Sequence, residues 1–313
     1  MKRTQFYFYS EDDVKINAYC WEPEKKMELR GVIQIAHGMA EHILRYEDFC
    51  AFMVDNGFIV YGNDHRGHGN SITAPDDKGF FAESNGFERV VSDMNQLSAM
   101  IKKDYRHLPL IILGHSMGSF LTRRYVQVYP NDVNGIILSG TGGDKGMLGK
   151  IGLRLAKWDR RRKGPRTPSP LMDKLTFGNY NKKFAPARTK FDFLSRDHAV
   201  VDEYIADDKC GFVCTTGLFI DLISGMETIH RDSEVKKTPS DLPIFLIAGD
   251  MDPVGDDGKG VQEVYDQYIQ HGIDNISFKL YENARHEVLN EVNKEEVYQD
   301  ILRWIKAIVK GDK

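Results

Sequence analysis

No stretch of this chain stays apolar for the roughly eighteen residues that a membrane-spanning helix needs. Lys2 and Arg3 open the sequence, but Gln5, Ser10, Glu11 and Asp12 interrupt any signal-like apolar segment, so a cytoplasmic protein is expected. Cysteine is scarce. Cys20, Cys50, Cys210 and Cys214 follow no metal-binding spacing, which favours reduced, packed thiols. An excess of one charge is also missing: the formal net charge is −4, which excludes a global field for nucleic acid. Internal repeats and low-complexity tracts are absent too, and neither a metal nor another cofactor is expected.

What the chain does have is a rhythm. Gln5 to Glu22 alternates as two short strands around Glu11-Asp12-Asp13, an antiparallel hairpin at a sheet edge. Buried strands are expected at Gly31 to Ala36, Phe58 to Tyr61, Pro109 to Leu113 and Gly135 to Ser139. Helical spacing fills the gaps: about Ile43 to Asn56, ended by Gly57, and a face of Phe87, Val90, Val91, Met94, Leu97 and Ile101. Asn85 with Glu88 three positions on reads as the capping box of that second helix. Such alternation means a mainly parallel, twisted α/β sheet covered on both faces.

The rhythm breaks between 141 and 240 and resumes with Leu242 to Ala248, a helix from about Lys259 to Gln270, a strand Ile276 to Tyr281 and a closing helix. One sheet domain, 1–140 and 241–313, with a helical cap inserted at 141–240 fits better than two domains, since neither flank completes the sheet alone.

Ligands bind such sheets beyond the carboxyl ends of their strands, where the 37–42, 64–71 and 114–118 loops emerge. The last spells Gly114-His115-Ser116-Met117-Gly118 between a strand and a helix. In such a turn the serine adopts strained backbone angles and projects its hydroxyl above the sheet edge. The residues two before and two after it must lack side chains, and both are glycine.

A serine hydroxyl needs a base to take its proton, and the base needs a carboxylate to fix its tautomer. In this fold the order is serine, acid, histidine, with the last two on loops after late strands. Gly249-Asp250-Met251-Asp252-Pro253 and Glu282-Asn283-Ala284-Arg285-His286-Glu287 occupy those places. Asp252 is favoured over Asp250, which lies nearer the strand end and suits bracing the loop. Oxyanion donors are expected in the backbone N–H groups of Met117, at a helix N-terminus, and Met39, after the turn at Gly38. His37, His42, His65, His68 and His115 are read as orienting loops; their mutual spacing suggests no metal face.

His37-Gly38-x-x-Glu41-His42 with Arg45-Tyr46, Asp64-x-x-Gly67-His68-Gly69-x-Ser71, the serine motif, Gly249-x-x-Asp252 and His286-Glu287-x-x-Asn290-Glu291 form a recognisable set. Together with Leu194-Ser195-Arg196-Asp197, Val201 and Tyr204, they resemble the monoacylglycerol lipase and lysophospholipase group of serine α/β-hydrolases, also filed as serine aminopeptidase-like. The resemblance covers nearly the whole chain. It implies an α/β-hydrolase fold, a Ser116, Asp252, His286 triad, an oxyanion hole at Met39 and Met117, and a lipid-like monoester as the small-molecule substrate. A soluble esterase for short or aromatic acyl esters is the next reading, and a hydrolase-fold binding protein without turnover the third; the intact triad argues against the latter.

Substrate contacts are expected in the cap. Leu148, Ile151, Leu155 and Trp158 fall on one helical stripe and Lys150, Arg154, Lys157 and Arg161 on another, a pattern that suits docking on anionic lipid. The same pattern also suits a helix packed on its own domain with a solvated basic face. Gly152 is expected to weaken this helix. Leu218 and Leu222, with Phe219 and Met226, form a second stripe that serves either an acyl tunnel or the core.

Overall fold

The computed structural model describes residues 1–309. β1 (Lys2–Tyr9) and β2 (Lys15–Glu22) form the expected edge hairpin, in register from Lys2 opposite Glu22 to Tyr9 opposite Lys15. β3 (Gly31–Ala36), β4 (Phe58–Asn63), β5 (Leu110–His115), β6 (Gly135–Ser139), β7 (Ile244–Gly249) and β8 (Ile276–Tyr281) complete an eight-stranded sheet. Its order is β1-β2-β4-β3-β5-β6-β7-β8, with β2 antiparallel to both neighbours and every pairing from β4 to β8 parallel. The order reverses between β4 and β5, so the loops leaving β3 and β5 diverge there and open a crevice.

Strand residues alternate between two cores. Ile33, Ile35, Ile111 and Leu113 pack with α1 (Glu47–Asp55) on one face, while Val32, Leu110 and Ile112 pack with α2 (Gly86–Asp104) and α3 (Met117–Val128) on the other. The expected helix from Ile43 begins as a 3₁₀ turn, Ile43–Tyr46, before α1. The expected capping box on α2 does not form. Asn85 is left-handed (φ 54°, ψ 36°), so its side chain cannot fold back over the helix end. The Gly86 N–H instead donates to Asp221 Oδ1 at 3.2 Å, and Glu88 pairs with Arg124.

Between β6 and β7 the chain holds α4 (Gly146–Lys163), α5 (Pro170–Phe177), α6 (His198–Ala206), α7 (Thr216–Ile229) and the single turn α8 (Asp232–Val235). No strand lies among them. α9 (Lys259–Gln270) and α10 (Lys294–Val309) then close the two faces of the sheet; Val297, Ile301 and Ile305 of α10 are fully buried. Each such side chain contributes about 1.5–3 kcal/mol by leaving water.

α4 uses its surface in an unexpected way. It packs beside α7 with Ala156 buried and Leu153 half-buried against the core, a Cβ on Gly152 would lie 3.8 Å from Ile223 Cδ1, and Asp159 accepts the Ser169 hydroxyl at the start of α5. A side chain at Gly152 would meet only ordinary van der Waals contact there, so packing does not demand a glycine. Packed by the side that carries Leu153 and Ala156, α4 leaves Leu148 (77% exposed), Ile151, Leu155 and Trp158 in solvent, with the basic stripe beside them.

Candidate active site

Ser116 joins β5 to α3 with φ 52° and ψ −119°, a conformation that L-residues rarely adopt. Its N–H donates to Ser139 O at 2.8 Å, which ties the turn to the neighbouring strand. The strain is held in place by close backbone contacts. A Cβ on Gly118 would lie 2.0 Å from Ala36 O, and one on Gly114 would lie 2.4 Å from Gly118 O, so both positions exclude any side chain.

The loops after β7 and β8 bring Asp252 and His286 together, although they are 34 residues apart. His286 Nδ1 lies 2.9 Å from Asp252 Oδ2 and 3.0 Å from Oδ1, while Asp252 Oδ1 also accepts the Val254 N–H. Asp250 makes no such contact. Burial disfavours the imidazolium of His286, but the Asp252 carboxylate outweighs it and raises the His286 pKa. His115 stacks beside it, ring centroids 4.8 Å apart, and burial together with that neighbour pushes its own pKa down to about 3. His115 is thus neutral at neutral pH.

Gly38 presses against Ser116, its Cβ position 3.3 Å from Ser116 Cβ, which puts the turn after β3 beside the serine. The Gly38 N–H is taken by Glu41 Oε1. Among the described residues the amides of Met39 and Met117 meet no acceptor in the protein. Two free amides at a serine turn are what a developing oxyanion needs.

A buried charge network lies beneath this turn, and it was not assigned a role from the sequence. Glu41 also accepts Tyr46 OH at 2.8 Å and Arg45 Nη1 at 2.6 Å, while Arg45 reaches Glu287 with both terminal nitrogens, at 2.6 and 2.7 Å. Burial would raise the Glu287 pKa, yet the Arg45 guanidinium wins and lowers it, so the carboxylate is charged. The network links the turn after β3 to the residue following His286. The only signal in the sequence was that these four residues lie inside the motifs quoted above.

The loop histidines behave as expected in part. His37 Nδ1 contacts Gly38 O at 2.7 Å and its Nε2 accepts the His65 N–H, whereas neither ring nitrogen of buried His65 has a partner. His42 is different: its Nε2 lies 2.7 Å from Asp207 Oδ2, and Cys210 is close by, a grouping that local spacing could not reveal. Of the expected substrate contacts, Leu218 and Leu222 are buried on α7 in the core, whereas Leu148, Ile151 and Leu155 face solvent. The chain from Phe177 to Phe193 instead brings an aromatic cluster to His286, with the Phe193 ring 6.2 Å from the imidazole. Phe193 O and Leu194 O also accept the N–H groups of His286 and Glu287.

The family described as serine aminopeptidase, S33, matches residues 27–293 of this chain. A monoacylglycerol lipase from Mycolicibacterium smegmatis is 27% identical over 311 residues, spanning 97% of both chains. The Homo sapiens monoglyceride lipase is 26% identical over 88% of this chain and 82% of its own. Among solved structures, a thermostable carboxyl esterase from Bacillus coagulans in complex with glycerol superposes with a TM-score of 0.90, at 27% identity and 99% coverage of both chains.

Proposed function

The chain belongs to the serine aminopeptidase, S33, family of α/β-hydrolases and is an ester hydrolase; from that premise we propose that it cleaves lipid-like monoesters, monoacylglycerol foremost, through an acyl-serine intermediate on Ser116. Ser116 Oγ attacks the ester carbonyl as His286 takes its proton, and Asp252 steadies the imidazolium. The Met39 and Met117 N–H groups receive the oxyanion, each worth a few kcal/mol to the transition state. The tetrahedral adduct then expels the alcohol, protonated by His286. Water, deprotonated by the same base, releases the fatty acid and restores the serine.

The observation that carries the assignment is the His286 Nδ1 to Asp252 Oδ2 approach of 2.9 Å, with the His286 ring 4.8 Å from that of His115, the residue before a serine with φ 52°. The preference for a lipid-like substrate rests on the relatives named monoacylglycerol or monoglyceride lipase and on the outer face of α4. Leu148, Ile151, Leu155 and Trp158 form an exposed apolar stripe on α4, bordered by Arg154 and Lys157. Such a surface suits peripheral contact with anionic lipid, where each basic residue adds on the order of 1 kcal/mol. It is better placed for docking than for lining a pocket. No helix among the described residues is long and apolar enough to cross a membrane.

A second reading, an esterase for short-chain esters, is favoured by the likeness to the carboxyl esterase. The two are separated by measuring kcat/KM across a chain-length series of p-nitrophenyl esters beside monoacylglycerols presented in vesicles. Higher kcat/KM for long-chain monoacylglycerol supports the lipid reading; a maximum at acetate or butyrate, with negligible monoacylglycerol turnover, replaces it with the second.

A further inference from the structure

The turn after α6 carries chemistry that ester hydrolysis does not use. Asp207 ends α6, Cys210 follows within one turn (Cys210 N–H to Asp207 O, 3.0 Å), and both lie over His42 at the end of the loop that follows β3. One nitrogen of His42, one oxygen of Asp207 and the sulfur of Cys210 lie within 4.8 Å of one another. These are three different metal-ligand types, from segments 165 residues apart, facing one point.

We propose that His42, Asp207 and Cys210 form a binding site for a zinc-class divalent cation, with one coordination position left open to solvent.

The donor set is that of a borderline-soft cation, since imidazole, carboxylate and thiolate all bind Zn²⁺ and Cd²⁺. Ligand atoms around tetrahedral zinc stand roughly 3–4 Å apart, given bond lengths of about 2.0–2.3 Å, so closure takes side-chain rotations of about an ångström. The Asp207 side chain is 34% exposed, which provides an entry path, while His42 and Cys210 are buried. Asp207 brings a carboxylate to the thiol, while Glu41 and Glu287 behind it are paired with Arg45. The nearby Lys209 ammonium turns away, donating to Asn70 Oδ1 at 2.7 Å. Burial pushes the Cys210 thiol well above its ordinary pKa, so in the absence of metal it is protonated and carries no charge to repel or attract. Coordination breaks the His42–Asp207 hydrogen bond, the imidazole binding as the neutral tautomer with its remaining proton on the other nitrogen, and forms the metal–sulfur bond with release of the thiol proton to the buffer, which makes affinity rise with pH.

An ion held here has a structural consequence. The Gly211 N–H and the Tyr204 hydroxyl already donate to Ala40 O, at 2.9 and 3.0 Å, next to the Met39 amide. The 37–42 loop is also tied to Asp207 by the His42 Nε2 contact at 2.7 Å; a metal would replace that direct contact with one that includes Cys210 as well.

Cadmium is the probe, because its bond to thiolate gives an ultraviolet charge-transfer band that needs no enzymatic activity to observe. Titration of the full chain with CdCl₂ should produce a saturable band with one thiol proton released per ion, reversed by excess Zn²⁺, and a rise in melting temperature. Cys210→Ser should abolish the band, while Cys214→Ser, which removes a thiol elsewhere, should keep it. Asp207→Asn and His42→Gln should each weaken cadmium about tenfold or more in folded protein. No saturable band, or one that survives Cys210→Ser, overturns the proposal. Cadmium affinity unchanged in both Asp207→Asn and His42→Gln also overturns it, because Cys210 would then bind alone as any thiol does. Folding of each variant is checked by circular dichroism; if His42→Gln unfolds, Asp207→Asn decides.

Discussion

Replacing Glu41 separates a structural role from a chemical one, because its two oxygens serve both. Oε2 pairs with the buried Arg45, whereas Oε1 holds the Tyr46 hydroxyl and the Gly38 N–H. Glu41→Ala leaves Arg45 with Glu287 alone and strands two buried donors. Removing one partner of a buried ion pair costs about 3–5 kcal/mol, and each orphaned donor about 1–3 kcal/mol more. Local relaxation recovers some of this, so a loss of about 4–6 kcal/mol is expected in urea unfolding. Glu41→Gln keeps the shape and one acceptor, and a loss of about 2–3 kcal/mol is expected from the missing charge. The chemical effect follows a different path, through the Gly38 N–H. That bond orients the turn whose next residue offers the Met39 amide to the oxyanion. Complete loss of one such donor costs about 10²–10³ in kcat, so a turn that is merely loosened should cost about 10 to 10² with KM little changed. The assay is kcat and KM for a soluble p-nitrophenyl ester, below the melting transition of each variant. Tyr46→Phe is the control: it removes one bond to Glu41, about 1 kcal/mol, and leaves the Gly38 contact intact. A Glu41→Gln enzyme that is destabilised yet keeps kcat within about threefold, no worse than Tyr46→Phe, refutes the link between this carboxylate and the oxyanion turn.

Ser116→Ala should fold and lose on the order of 10⁶ in kcat, with no fluorophosphonate labelling; residual labelling would place the nucleophile elsewhere. Asp252→Asn should lower kcat by about 10³–10⁴, while Asp250→Asn, whose side chain does not reach His286, should cost little. The base must be neutral to act, so kcat/KM falls as pH drops through the His286 pKa. Because Asp252 raises that pKa, Asp252→Asn should move the acid limb of the profile to lower pH while the plateau falls. An unmoved limb would mean that another group controls it. Arg154→Glu with Lys157→Glu should weaken binding to anionic vesicles, less so at high salt, and spare turnover of a soluble short-chain ester. Equal loss on both substrates would show that these charges hold the cap instead.

The strands and the serine turn were legible because their signals are local: short β-branched runs, helical spacing and two glycines at fixed offsets. That Asp252 and His286 would meet was legible through chain order, which the fold constrains. What was not legible depends on partners remote in sequence. The cap of α2 comes from Asp221, 135 residues away, and Arg45 meets Glu287 across 242 residues. Nothing in the neighbourhood of Asn85 or Arg45 could announce these contacts. The periodicity of α4 identified its stripes correctly, but periodicity does not say which one turns inward. Burial went to the side that carries Ala156 and Leu153, and the larger apolar stripe was left outside.

The carbonyls of Phe193 and Leu194 set a limit on how this enzyme can change. They hold the backbone on which the base is mounted, so the inserted segment between β6 and β7 is not an attachment that can be traded whole for another. A transplant that shifts 193–194 would displace His286 along with the pocket wall. New specificity is therefore more accessible through the exposed face of α4 than through the 193–195 segment. In a library of functional variants, tolerated substitutions and length changes should crowd into 146–163 and thin out abruptly on approaching Phe193.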